Sequence, residues 1–326
     1  MKEKVRNTII KYNLIESGDR LVLGVSGGPD SLSMLQILYE LKNELNFDIC
    51  VAHINHSLRD AADEEEQFVK DSCEKLGIVF YSLKVDVKKE AEAQKQGTEE
   101  VGRNIRYKFF DEVAHKTNSN KIAIAHNKND VAETIIMNLL RGSGIKGLKG
   151  IDPKNEQYIR PLIECSREEI EKYCSDNKLD PRIDQSNFDN TYTRNRIRNV
   201  VIPYIKEEFN PNIIETLNRL SIIAREEVDY IDLLIKTKYE VLLKSECEKE
   251  IILDIKEFNK EDRFVQKKVI LYAINKLFGS TKGVEKIHIE DVVDMINKNI
   301  GNKYLTPNKN TKIVIKNKQI YIQRLN

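Results

Sequence analysis

The sequence predicts an α/β chain: a doubly wound, mostly parallel sheet with helices on both faces, followed by a helical linker and a small α+β domain at the C-terminus. Three observations predict it. Short apolar runs alternate with helically spaced segments over residues 21–140. A glycine-rich turn, Ser26-Gly27-Gly28-Pro29-Asp30-Ser31, follows the first of those runs. Beyond residue 150 the alternation stops, and residues 211–243 carry one long helical period. The expected division is 1–210 as catalytic domain, 211–245 as helical linker and 246–326 as C-terminal domain.

In order, residues 21–25 read as a buried strand. Residues 31–45 read as a helix, with Leu32, Leu35, Leu38, Leu41 and Leu45 on one stripe. Strands are expected at 48–53, 79–85 and 121–125, and helices at 64–76, 98–115 and 130–140. Residues 151–165 read as loop and short extended structure. Ser166 and Glu169 have capping-box spacing and open a helix to 177. The C-terminal part reads as helices near 262–278 and 289–299, then strands near 312–315 and 319–322.

Bulk properties exclude several classes. The 326 residues carry 53 basic and 52 acidic side chains, so nucleic-acid binding must rest on local charge. The five cysteines show no C-x-x-C spacing, which disfavours disulfides, zinc and iron–sulfur ligation. Neither a signal-peptide run nor a membrane-length apolar stretch occurs, so a cytoplasmic protein without membrane association is expected.

The turn at 26–31 carries the chemistry. Backbone N–H groups at a strand-to-helix turn form a nest for phosphate oxygens, reinforced by the helix N-terminus. Gly27 and Gly28 let an anion approach the backbone, and Ser31 is expected to cap the helix. Asp30 beside phosphates calls for a cation, which points to Mg²⁺. No Walker lysine is present, so γ-phosphoryl transfer of the P-loop type is disfavoured. Gly142-Ser143-Gly144-Ile145-Lys146-Gly147 matches G-x-G-x-x-G, but a helix precedes it where a dinucleotide fingerprint needs a strand.

Ser-Gly-Gly-x-Asp-Ser resembles the PP-loop of the N-type ATP pyrophosphatases. That resemblance implies the adenine nucleotide α-hydrolase-like fold and cleavage of ATP between the α and β phosphates. Further segments, in order, resemble the tRNA(Ile)-lysidine synthetases: Ala52-His53-Ile54-Asn55-His56-Ser57-Leu58-Arg59, Glu99 to Tyr107 with Arg103 and Arg106, and His126 to Thr134 with Asp130 and Glu133. Arg141 to Gly144, Arg160-Pro161-Leu162 and Thr193 to Arg198 with Pro203 complete the series. Longer members carry one more RNA-binding domain, and the expectation here is a short form.

This resemblance implies adenylation of C2 of the wobble cytidine in CAU-anticodon tRNA(Ile), then attack by free L-lysine to form lysidine, with ATP and Mg²⁺ required. It implies nucleotide binding by Ser26 to Ser31, Ala52 and His53. Catalytic roles are implied for Asp30, Asp130, Glu133, Arg103, Arg106, Arg194 and Arg198, with Asp30 and Asp130 as metal ligands. Asn129 stands where many members carry an aspartate, which weakens a metal site built on that position. A homodimer follows by the same analogy.

Two stretches lack acids: residues 191–206, with Arg194, Arg196, Arg198 and Lys206 near Tyr192 and Tyr204, and the tail from Met295, with Lys298, Lys303, Lys309, Lys312, Lys316, Lys318 and Arg324. Both fit RNA phosphates. Three rivals stand beside this reading: a tRNA-thiolating relative, a small-molecule amide synthetase and a non-catalytic tRNA-binding protein.

Overall fold

The structure, a computed structural model, describes residues 1–55, 62–182, 189–298 and 303–325, without the Glu99 side chain. The resembling stretch His56 to Arg59 and the start of the acidic run at Asp60 lie outside the described residues. The chain divides into two compact units, Met1–Arg225 and Glu226–Asn326.

The first unit opens with α1 (Lys2–Lys11), β1 (Arg20–Gly24), α2 (Pro29–Leu45), β2 (Asp48–Asn55), α3 (Ala62–Leu76), β3 (Val79–Lys84) and α4 (Val87–Gln94). It continues with α5 (Thr98–Thr117), β4 (Lys121–Ile124), α6 (Lys128–Leu140), α7 (Ile145–Leu148), β5 (Lys154–Asn155), β6 (Tyr158–Ile159) and α8 (Arg167–Asp176). Then come α9 (Thr193–Arg196), a π-helical turn Ile197–Val201, α10 (Ile202–Glu208) and the long α11 (Ile213–Leu242), whose last turns belong to the second unit.

The six strands run in the order β3-β2-β1-β4-β6-β5, and only β5 pairs antiparallel. Alternate side chains of β1 explain why both faces are covered. Leu21, Leu23 and Val25 join one buried cluster with α1, α2 and α8, whereas Val22 joins another with Phe109, Phe110 and Val113 of α5. Gly24 closes that second face: a Cβ there would lie 2.6 Å from Cζ of Phe110, itself buried. Gly24→Ala is therefore expected to cost about 1–3 kcal/mol, seen as a lower urea midpoint at unchanged slope. An unchanged midpoint would mean that Phe110 yields.

The order β2-β1-β4 makes a topological switch point, because the chain leaves β1 towards β2 and later returns to pair β4 on its other side. Loops at the carboxyl ends of β1 and β4 thus diverge around one crevice, where open α/β sheets bind ligands.

In the second unit β7 (Leu243–Cys247), β8 (Glu250–Asp254), β9 (Tyr304–Asn308), β10 (Thr311–Lys316) and β11 (Gln319–Arg324) form an antiparallel sheet ordered β7-β8-β11-β10-β9. Helices α12 (Ile255–Phe258), α13 (Arg263–Phe278) and α14 (Lys286–Asn297) accompany it. Its core joins Ile251, Leu253, Ile313, Ile315, Ile320 and Ile322 of the sheet to Val269, Ile270, Ile274, Val292 and Ile296 of the helices. Three of these strands escape the sequence reading. Exposed β7 has no apolar alternation, β8 is five residues long, and β9 carries Pro307, which is tolerated because β9 is an edge. Among the described residues no helix is long and apolar enough to cross a membrane.

Candidate active site

The turn after β1 begins the site. Gly27 has φ of +91°, a conformation that favours glycine, and Gly28 is the N-cap residue of α2. Pro29 and Asp30 fill the first helical positions. Ser31 does not cap the helix as expected. It lies inside the first turn, and its Oγ accepts from the N–H groups of Ser26 at 3.1 Å and Gly27 at 3.2 Å while donating to the Gly28 carbonyl. A hydroxyl buried within the turn fastens the loop on itself, so Ser31 shapes the turn between β1 and α2.

The turn after β4 faces it. Asn127 caps α6 by accepting from the N–H groups of Asn129 and Asp130, and Asp130 returns a bond to Asn127 N–H at 3.0 Å. The Asn127 amide also reaches across the switch point and donates to Asp30 Oδ1 at 2.8 Å. This bond links the two loops. The sequence reading passed over Asn127; its spacing to Asp130, an N-cap three residues before an acid, was the available signal.

Two acids from α6 meet two arginines from the segment at 193–201. Arg194 donates to Glu133 and Asp130, each at 2.9 Å. Arg198 donates to Glu133 at 2.6 and 2.9 Å and to Asp130 at 3.1 Å. The i,i+3 and i,i+4 spacings put each pair on one helical face, so four groups interlock. Burial pushes the Asp130 carboxyl upward, but Arg194, the Asn127 N–H and Arg198 outweigh it and hold the group below the ordinary range. Asp30 behaves oppositely. Burial first, then the charge of Asp130, raises it to about 6, against the pull of Asn127, Arg167 and Arg198.

A third cluster lies beside Asp130. Arg160 Nε donates to His126 Nδ1 at 3.2 Å, so the imidazole is neutral with its proton on Nε2. Burial, with Arg160, Arg194 and Arg103 acting against Asp130, lowers this histidine to about 4. Arg103 lies over the Tyr107 ring at 4.8 Å, and Tyr107 in turn lies against Tyr158. Arg106 is exposed on the same helix. The sequence alone assigns His126 and Arg160 no role, because a lone histidine and an R-P-L triplet carry no spacing signal of their own.

Ala52 lies within β2, its carbonyl accepting from Val25 N–H at 3.1 Å. His53 is buried, stacks on Phe80 and donates from Nδ1 to the Val25 carbonyl at 2.9 Å, and burial lowers its pKa. Asn129 accepts at Oδ1 from the Arg167 N–H and so steadies the start of α8.

A glycine turn at a switch point, an aspartate in the first turn of the following helix and an opposed arginine–carboxylate cluster define a PP-loop protein, and residues 1–205 match the PP-loop domain family. Over 94% of its length the chain is 47% identical to the tRNA(Ile)-lysidine synthase of Clostridium acetobutylicum, covering 67% of that protein. It is 42% identical to the tRNA(Ile)-lysidine synthase of Caldanaerobacter subterraneus subsp. tengcongensis, covering 94% of this chain and 66% of that protein. The chain belongs to the tRNA(Ile)-lysidine synthase family, and it spans about two thirds of the length of these relatives. Among solved structures, the U34-tRNA thiolase NcsA from Methanococcus maripaludis with its 4Fe-4S cluster aligns with a TM-score of 0.56 at 20% identity, covering 69% of this chain and 78% of that one. That likeness is one of fold.

Proposed function

We propose that this chain ligates free L-lysine to C2 of the wobble cytidine in tRNA(Ile) with a CAU anticodon, using ATP. The carrying observation is the bond from Asn127 to Asp30, which draws the phosphate turn against the Asp130–Glu133–Arg194–Arg198 cluster. In the first step the C2 oxygen attacks the α-phosphorus and pyrophosphate departs into the cradle of Ser26 to Ser31. In the second the ε-amine of lysine attacks C2, AMP leaves with the oxygen, and the amine gives up a proton.

The residues fit Mg²⁺, which is commonly held by one or two carboxylates plus substrate phosphates. Asp30 suits it better than Asp130. Asp130 already accepts from the Asn127 N–H and from both arginines, using three of roughly four lone-pair directions, whereas Asp30 accepts from the Asn127 amide. Mg²⁺, when bound, supplies charge neutralisation for the departing pyrophosphate. Ala52 and His53 would wall the adenine towards the carboxyl end of β2, and Arg103 and Arg106 would meet anionic groups on the α5 side. Glu133 and Asp130 would receive the lysine ammonium as the arginines turn towards substrate phosphates. Exposed Lys303, Lys309, Lys316 and Lys318 of the second unit suit tRNA phosphates; Arg324 instead lies over Phe278 and donates to the Leu277 carbonyl. The homodimer implied by resemblance is part of the same proposal.

Incubation with ATP, Mg²⁺, labelled lysine and an unmodified CAU tRNA(Ile) transcript is expected to place label in the RNA, dependent on the wobble cytidine. The reading fails if no lysine enters while ATP–pyrophosphate exchange proceeds with another substrate.

A further inference from the structure

The helical run that supplies Arg194 and Arg198 has a second face. Inward, Ile197 and Ile202 are buried with Ala132, Ile136 and Ile214, and the two arginines hold Asp130 and Glu133. Outward stand Tyr192, Val200, Tyr204 and Phe209, which are 43%, 49%, 57% and 72% exposed, together with exposed Arg196. Tyr192, Arg196, Val200 and Tyr204 recur every four residues. The π turn Ile197–Val201 holds an extra residue, which offsets the drift of four-residue steps on a 3.6-residue helix. Tyr204 and Phe209 meet edge to face at 5.8 Å.

We propose that this outer face is a base-stacking platform for the unpaired nucleotides that flank the reacting base of an RNA loop. The proposal rests on the lysidine reading and adds a subsite to it. Exposed rings interleaved with a guanidinium suit the π-face of any base and its phosphate. Residues 191–206 contain no acid. Lys206 pairs with Glu168 at 3.4 Å, and among the described residues Arg196 has no ion-pair partner, so it is the cation this face presents. Continuity with the active site selects the occupant. A base delivered to the inner cluster must leave the stack, which brings its neighbours over the outside of the same helical turns. From Tyr192 to Tyr204 the run covers about 18 Å at roughly 1.5 Å per residue, the length of about five stacked nucleotides at roughly 3.4 Å each.

The chain has no tryptophan, so Tyr204→Trp provides a single indole reporter on the platform. Titrated with a CAU anticodon stem–loop RNA, this variant is expected to show fluorescence quenching. Tyr192→Ala and Tyr204→Ala should each weaken binding about five- to a hundredfold, while Tyr192→Phe and Tyr204→Phe restore it. Arg196→Gln should lower the slope of log affinity against log salt by about 0.7, and the tyrosine variants should leave that slope alone. The platform is overturned if the RNA binds without quenching, or if both alanine variants bind as tightly as the parent. It is also overturned if sedimentation shows Tyr204→Ala dissociating a dimer, which would make this face a protein interface. Lysine incorporation by the parent protein is scored separately. Incorporation without quenching sinks the platform alone, and quenching without incorporation sinks the lysidine reading alone.

Discussion

Asp30→Asn is expected to abolish most adenylation and, without nucleotide, to make the protein more resistant to unfolding at neutral pH. Both effects come from one environment. Asp30 sits in the first turn of α2, bonded to the Asn127 amide and close enough to Asp130 for that charge to help raise its pKa from 3.8 to about 6. An acid whose folded pKa is raised takes up a proton on folding between those two values. Stability therefore falls as pH rises from about 4 to about 6. Above that window the ionised group costs up to roughly 3 kcal/mol. Asparagine keeps the bond from Asn127 without the charge. The melting temperatures of the two proteins should coincide near pH 4, separate through pH 6 and stay apart above it.

The catalytic loss follows from what that stability is exchanged for. In the proposed reaction an ionised Asp30 beside ATP phosphates would offer the oxygen ligand that Mg²⁺ requires, and losing an electrostatic contribution of several kcal/mol is expected to lower the rate roughly 10²- to 10³-fold. Binding of tRNA should change little. Mg²⁺–ATP should also raise the melting temperature of the parent more than that of the variant. Equal loss of adenylation and tRNA binding, or a variant that melts lower at pH 8, would return Asp30 to a structural role.

How much of this was legible in the sequence depended on range. The strand-to-helix rhythm, the turn at Ser26 to Ser31 and the Ser166–Glu169 capping box are local patterns, and the structure has them. The α/β sheet with a smaller antiparallel unit also follows from them. Helices α1 and α4 are ten and eight residues long and bury few side chains, and neither carries the capping box that marks the equally short α8. The cross-loop contacts were not legible. Asn127 meets Asp30 across 97 positions, and Arg198 meets Glu133 across 65. Such partners are set by the switch between β2 and β4 on either side of β1, which no short motif encodes. Ser31 shows the reverse error. Its residue type and place suggested a helix cap, but Pro29 starts the helix two residues earlier and turns the hydroxyl back onto the loop.

Glu133→Ala is the other large effect, and its mechanism can be separated from simple loss of a side chain. Glu133 is 1% exposed and accepts from Arg194 and twice from Arg198, while Asp130 Oδ1 accepts from both arginines. Two carboxylates thus balance two guanidiniums in a largely buried cluster. Without Glu133, two cations share one acid, and breaking a buried pair in this way costs about 3–5 kcal/mol. For a unit of this size that lowers the melting temperature by roughly ten degrees. Removing the stranded charge should restore much of it, so Glu133→Ala with Arg198→Ala is expected to be more stable than the sum of the single losses predicts. Activity should follow a different course. Lysine incorporation falls in each single variant and stays low in the double, because the double restores charge balance but returns neither Glu133, one of the two acids proposed to receive the ammonium, nor Arg198, one of the two arginines proposed to meet the phosphates. Additive stabilities would show that the four groups do not act as one network, and recovery of activity in the double variant would show that the network only holds the helix in place.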